Sequence, residues 1–187
     1  PPPPPAPDDG VGFPAIDLTV AENRITGALA TAPGGLLSGT LDIAGTNLET
    51  LAAIALVEAS GAVTAQATFT PEDGRQTIDV SFGARDAAVE GLTLSQAEGE
   101  ARIEDAFGDA TIAGHADLGA MAVGSLTIDT AALTARVVDG ATDFEVSAAG
   151  PDLTLRGTGS LAIDAGATTV RIATLDGSAF GVPVALA

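Results

Sequence analysis

Along most of this chain apolar and polar residues alternate one by one. In Val63-Thr64-Ala65-Gln66-Ala67-Thr68-Phe69-Thr70 the odd positions are apolar and the even ones carry hydroxyl or amide groups. The alternation returns in Thr77-Ile78-Asp79-Val80-Ser81-Phe82, in Asp143-Phe144-Glu145-Val146-Ser147-Ala148 and in Thr169-Val170-Arg171-Ile172. Successive β side chains point to opposite faces, so each segment predicts a strand with one apolar face and one wet face. On this basis strands are predicted over 16–20, 24–32, 38–45, 61–70, 75–83, 87–95, 98–105, 109–117, 122–129, 132–138, 141–149, 152–157, 159–165, 168–174 and 179–186. Several links are short and suited to hairpins: Ala21-Glu22-Asn23, Pro71-Glu72-Asp73-Gly74, Phe107-Gly108-Asp109 and Asp139-Gly140. Asn, Asp and Gly tolerate the positive φ angles of tight turns. Links this short force antiparallel neighbours, whereas a parallel solenoid needs crossovers and a repeat of about 20 residues. No such period occurs, and the predicted fold is an all-β antiparallel meander.

Two segments depart from the alternation. Thr46-Asn47-Leu48-Glu49 has the spacing of a capping box from Thr46 to Glu49 and leads into Leu48, Leu51, Ala52, Ala55 and Val57, apolar at helical intervals. It predicts one short helix near 47–59 that packs on the sheet. Residues 1–14 read as a proline-rich linker. Pro1 to Pro5 and Pro7 favour an extended polyproline II rod, which Asp8-Asp9-Gly10 breaks. The domain expected after it covers 15–187. A chain opening on five prolines and closing on Val182-Pro183-Val184-Ala185-Leu186 reads as an internal fragment of a longer protein.

Composition removes several functions. The 187 residues include no Cys, Trp or Tyr and six Phe. There is therefore no thiolate site, and the aromatic platform that sugars or nucleobases stack on is missing. With 25 acidic against 7 basic residues the net charge is −18, which repels nucleic acid. Asp42, Asp79, Glu90, Asp129 and Asp164 fall on wet faces or in turns, as a solvated acidic coat would. No run reaches the roughly 20 apolar residues of a membrane-spanning helix. A membrane barrel would want aromatic girdles.

Candidate chemistry is sparse. His115, the one histidine, lies on the polar parity of Thr111-Ile112-Ala113-Gly114-His115-Ala116-Asp117. Asp117 shares its face, but no serine nucleophile motif accompanies them. One histidine without cysteine does not make a zinc site. Asp8-Asp9 and Glu104-Asp105 are isolated acidic pairs outside any EF-hand or nine-residue calcium repeat. Gly34-Gly35 and Gly157-Thr158-Gly159 lack the lysine and following helix of a phosphate cradle, and read as turns or bulges. No catalysis, metal or cofactor is expected.

Three segments carry a resemblance. Ser38-Gly39-Thr40-Leu41-Asp42-Ile43-Ala44-Gly45-Thr46-Asn47-Leu48 runs from strand into short helix. Leu155-Arg156-Gly157-Thr158-Gly159-Ser160-Leu161-Ala162-Ile163 is a G-x-G-x-L strand. Ile172-Ala173-Thr174-Leu175-Asp176-Gly177-Ser178-Ala179-Phe180-Gly181-Val182-Pro183-Val184 closes with L-x-G-x-x-x-G-x-P. Over roughly 16–187 the chain resembles the TamB proteins (translocation and assembly module subunit) and their AsmA-like relatives of Gram-negative bacteria. The resemblance implies a meander curved into a U-shaped groove, or β-taco, with an apolar interior. It implies a periplasmic location within a longer protein anchored in the inner membrane. It implies phospholipid acyl chains as cargo between the membranes, and assembly of outer-membrane proteins with an outer-membrane barrel partner. This chain departs from the family in having no membrane anchor and no recognisable barrel-docking end, and its proline-rich start is unlike a groove strand.

The apolar parity supplies the expected lining: Leu41, Ile43, Val63, Phe69, Ile78, Val80, Phe82, Leu92, Leu94, Ile103, Ile112, Leu126, Ile128, Leu133, Val137, Phe144, Val146, Leu153, Leu155, Leu161, Ile163, Val170, Ile172, Val182 and Val184. Small residues on the same parity, such as Ala65, Ala67, Ala101, Ala135 and Ala148, fill a closed core poorly and suit a trough with room for an apolar guest. The alternative reading is a structural stalk or adhesin module of a secreted or cell-surface protein, a two-sheet sandwich whose apolar faces cover each other. A calcium-stabilised form of that module is a further variant.

Overall fold

The computed structural model describes residues 11–49, 59–164 and 167–186. Fourteen strands follow one another: β1 Gly12–Val20, β2 Asn23–Thr31, β3 Leu37–Gly45, β4 Ala59–Glu72, β5 Arg75–Val89, β6 Leu92–Glu104, β7 Thr111–Leu118, β8 Met121–Val123, β9 Leu126–Ile128, β10 Thr130–Val138, β11 Ala141–Gly150, β12 Leu153–Asp164, β13 Ala167–Ala179 and β14 Val182–Leu186. All belong to one antiparallel sheet. β7 with β8, and β9 with β10, are single strands interrupted at Gly119-Ala120 and at Asp129. Across the first interruption the ladder continues, with Gly119 N donating to Gln96 O and Ser95 N donating to Ala120 O. The sheet is thus an unbroken up-and-down meander. β1 and β14 do not meet, so it stays open as a groove and does not close into a barrel.

Tight turns set this register. Asp73-Gly74, Glu90-Gly91, Asp139-Gly140 and Phe180-Gly181 each place both residues at positive φ, as two-residue hairpins of type I′ require. Two of these turns, and the Gly124-Ser125 turn, fall where the sequence predicts strand or no turn. The segment 87–95 spans Glu90-Gly91 and joins parts of β5 and β6, while 122–129 spans the turn between β8 and β9. The apolar beat shifts by one at these turns, from Val89 to Leu92 and from Val123 to Leu126, and counting alternation within each segment alone passes over that shift. Conversely, 152–157 and 159–165 are one strand, β12. Gly159 is tolerated inside it because the Phe144 ring of β11 occupies the space a side chain would take.

The sheet also starts earlier than expected. Gly12 and Phe13, placed in the linker by sequence, pair with Ala30 and Leu29. Residues 1–10 of that linker lie outside the described residues. So does most of the helix expected over 47–59, of which Leu48 and Glu49 are helical. Its cap is Asn47 and not Thr46: Asn47 Oδ1 accepts from Glu49 N, while Thr46 Oγ1 donates to Glu22 O. A short 3-10 turn at Pro33–Gly35 links β2 to β3.

One irregularity keeps the faces consistent. Between β4 and β5 the register slips at Gly61, which sits at φ +105° opposite Asp86 at φ +49°. An added Cβ on Gly61 would lie 2.7 Å from Ala87 Cα, so glycine is required. From β5 to β9–β10 the apolar parity changes along this one line, from Ala84 to Ala87, Ala97 to Leu94, Leu118 to Met121 and Ala131 to Ile128. Ser95 Oγ and Gln96 Cγ both approach Gly119, at 2.8 and 2.7 Å from where its Cβ would stand, so these adjacent side chains share a side. Each strand carries one extra residue here, in the manner of a bulge, and the apolar series resumes on the same face.

Candidate functional site: the apolar face

Directly opposed residues of paired strands lie on the same face, so the register converts sequence parity into rows across the sheet. The central row reads Leu18, Ile25, Ile43, Ala65, Phe82, Gly99, Ala116, Leu133, Val146, Gly157, Leu175 and Leu186, without a polar side chain from β1 to β14. Beside it run Ile16, Gly27, Leu41, Ala67, Val80, Ala101, Gly114, Ala135, Phe144, Gly159 and Ile172. On its other side run Val63, Ala84, Ala97, Leu118, Ala131, Ala148, Leu155, Gly177 and Val184. At about 4.8 Å per strand, the central row is roughly 50 Å long.

The other residues expected to line the groove extend these rows. Phe69, Ile78, Ile103 and Ile112 form a fourth run near one rim, and Leu161 pairs with Val170 further along it. Val137 and Ile163 follow by alternation. Near the other rim Leu94, Ile128, Leu92 and Leu126 group through β8, and Leu153 pairs toward Val182 through Ala179. The register therefore brings all the expected lining residues to one face. Sequence reading missed Ile16, Leu18, Ile25 and Leu186, which the same alternation marks, and Leu118, Met121 and Leu175, which lie beyond the ends of the predicted strands; Leu175 joins the face of Ile172 only through the register shift between β12 and β13.

Among the described residues only the start of the helix reaches over this face, at one rim, where the Leu48 side chain sits 3.3 Å from where a Cβ on Gly45 would stand. Strands contact their neighbours in the sheet, and no second layer crosses them. Ala97 and Ala110 are the buried apolar residues there, while Phe82 is 38% and Ile172 54% exposed. The chain exposes 11731 Å², against about 8,100 Å² expected for a compact monomer of 18.2 kDa. The two-sheet sandwich considered from sequence is not the arrangement found. Its apolar faces would cover each other, and here there is one sheet.

The opposite face holds the charges. Arg24 makes a two-pronged contact with Asp17, Nε to Oδ1 at 2.9 Å and Nη2 to Oδ2 at 2.7 Å. The hydrogen bond from Arg24 holds the Asp17 carboxyl below its ordinary range and raises the guanidinium. Arg102 meets Glu72 at 2.7 Å, Asp79 at 3.1 Å and Glu104 at 3.3 Å. Its pKa is raised, first by the hydrogen bond to Glu104 and then by the charge of Asp79. Asp105 faces Arg75 at 3.8 Å, so both members of the Glu104-Asp105 pair face arginine. His115 Nδ1 lies 3.7 Å from Glu100 Oε1 on this exposed face. Asp8-Asp9 falls outside the described residues. Among those described, no three imidazoles or carboxylates converge where a metal ion could sit.

Fold and face together define a class: an open, single-layered antiparallel meander with one apolar and one acidic face. Compared with known protein families, with curated proteins and with solved structures, the chain matches none.

Proposed function

We propose that this chain is a non-catalytic segment of a periplasm-spanning protein of the TamB and AsmA-like kind. In this reading its apolar face shields phospholipid acyl chains on their way between the inner and outer membranes. Through the longer protein it supports outer-membrane protein assembly with a barrel partner. The supporting observation is the set of unbroken apolar rows on a sheet over which, among the described residues, no second layer of strands lies. Such a face is costly in water, and each methylene laid on it contributes about 0.8 kcal/mol. The headgroup needs no pocket, because it stays in solvent at the open side. A closed structural module has less support, since it needs a second apolar layer.

The test is native mass spectrometry of the purified chain, with lipid extraction of the same sample. Phospholipid is expected to copurify, and to be lost from a folded Val80→Asp variant, whose charge sits mid-row. Lipid-free wild-type protein, or undiminished capture by the variant, would overturn the reading.

A further inference from the structure

Charge around the apolar face is as one-sided as its hydrophobicity. The chain has no lysine, and its seven arginines all lie on the polar parity of their strands. Arg24, Arg75 and Arg102 are held by carboxylates there. Arg136 and Arg156 stand opposite Asp143 and Asp176 across the ladder. Several of the turns that edge the apolar face carry acids instead. Glu22, Glu90 and Asp152 lie exposed at one rim, and Asp73 and Asp139 at the other. Glu90 and Gly91 join Val89 to Leu92, which are 40% and 39% exposed.

A single layer of sheet does little to hide one face from the other. Carboxylates on the polar side stand on the order of 10 Å from an amphiphile resting on the apolar side, about one Debye length at 0.1 M salt. The net charge of −18 therefore acts on anything that sits there.

We propose that the groove selects its amphiphile by headgroup: phospholipids with a terminal ammonium, of the ethanolamine or choline type, are taken in preference to anionic ones. This inference rests on the lipid-shielding reading above and adds the cargo's charge class. An ammonium near Glu90 or Asp139 is attracted by the carboxylates of that rim and of the sheet beneath it, whereas a net anionic headgroup meets carboxylates and, among the described residues, no arginine on that side.

The test offers the full chain vesicles of equimolar phosphatidylethanolamine and phosphatidylglycerol with identical acyl chains, then measures captured lipid by mass spectrometry. In about 10 mM salt, where the Debye length is about 30 Å, enrichment of the ethanolamine lipid by roughly fivefold or more is expected. It should fall toward parity near 1 M salt, where that length is about 3 Å. The double variant Glu22→Lys, Asp152→Lys, with both changes in exposed turns, should narrow the low-salt preference. Equal capture at low salt, or a preference insensitive to both salt and the variant, overturns the headgroup inference and leaves lipid shielding standing. Capture of neither lipid overturns both.

Discussion

Gln76 is fully buried in a sheet that buries little else, and it acts in place of a missing backbone partner. The register of β3 on β4 carries Leu37 toward Pro71, which has no N–H to give. The Gln76 side chain reaches across instead: Oε1 accepts from Leu37 N at 2.7 Å and Nε2 donates to Leu37 O at 3.1 Å. Gln76→Leu keeps the volume but strands both backbone groups, and should cost about 2 kcal/mol in urea unfolding. An unchanged midpoint would mean that water replaces the amide. Asp17 gives a pH prediction. Its folded pKa is depressed, so its contribution to stability is present above the ordinary value of 3.8 and is lost as pH falls through the lower folded value. Arg24→Gln should move the Asp17 carboxyl titration, followed by NMR, up toward that ordinary value; no movement would show that the pair is absent in solution. Neither contact was legible in sequence. Gln76 and Leu37 lie 39 positions apart, and only the pairing of three strands brings them together.

At the scale of elements, alternation located the strands and hid several of their ends. Asp73-Gly74 and Asp139-Gly140 stand out because aspartate and glycine are turn residues wherever they occur. Glu90-Gly91 and Phe180-Gly181 do not, since Glu and Phe fit the polar and apolar beats around them. Phe180 is the odd residue of the set, 63% exposed and at φ +51°, a conformation bulky side chains adopt reluctantly. Phe180→Asn should therefore stabilise the β13–β14 hairpin by roughly 0.5–1 kcal/mol, read as a higher urea midpoint. A lower midpoint would instead assign the ring a packing role that its exposure does not suggest. The line of extra residues from Asp86 to Asp129 falls at the boundaries of the predicted strands, and alternation within each strand leaves the change of parity there unmarked. Its consequence, an apolar face that stays continuous across the change, required the pairing of neighbouring strands.

For the whole molecule, the question is whether the apolar face is covered. In a closed sandwich a charge replacing a core valine is stranded without water, at a cost of several kcal/mol. Val80 lies on an open face and is half-buried. Val80→Asp should therefore lower stability by no more than about 2 kcal/mol in urea unfolding, with the strand signature of circular dichroism retained. Cooperative collapse of the fold would point to a covered core. The alternation and the short turns along the chain determined by themselves that the protein is an antiparallel meander, and, within each uninterrupted run, which side chains share a face, because side-chain direction in a regular strand is fixed by parity. Whether that face is closed over, and that charge gathers on the opposite side and at the rims, was decided by tertiary structure. Both a sandwich and an open sheet satisfy the same period of two, and only the pairing of β1 through β14 into a single layer, with its two edges apart, distinguishes them.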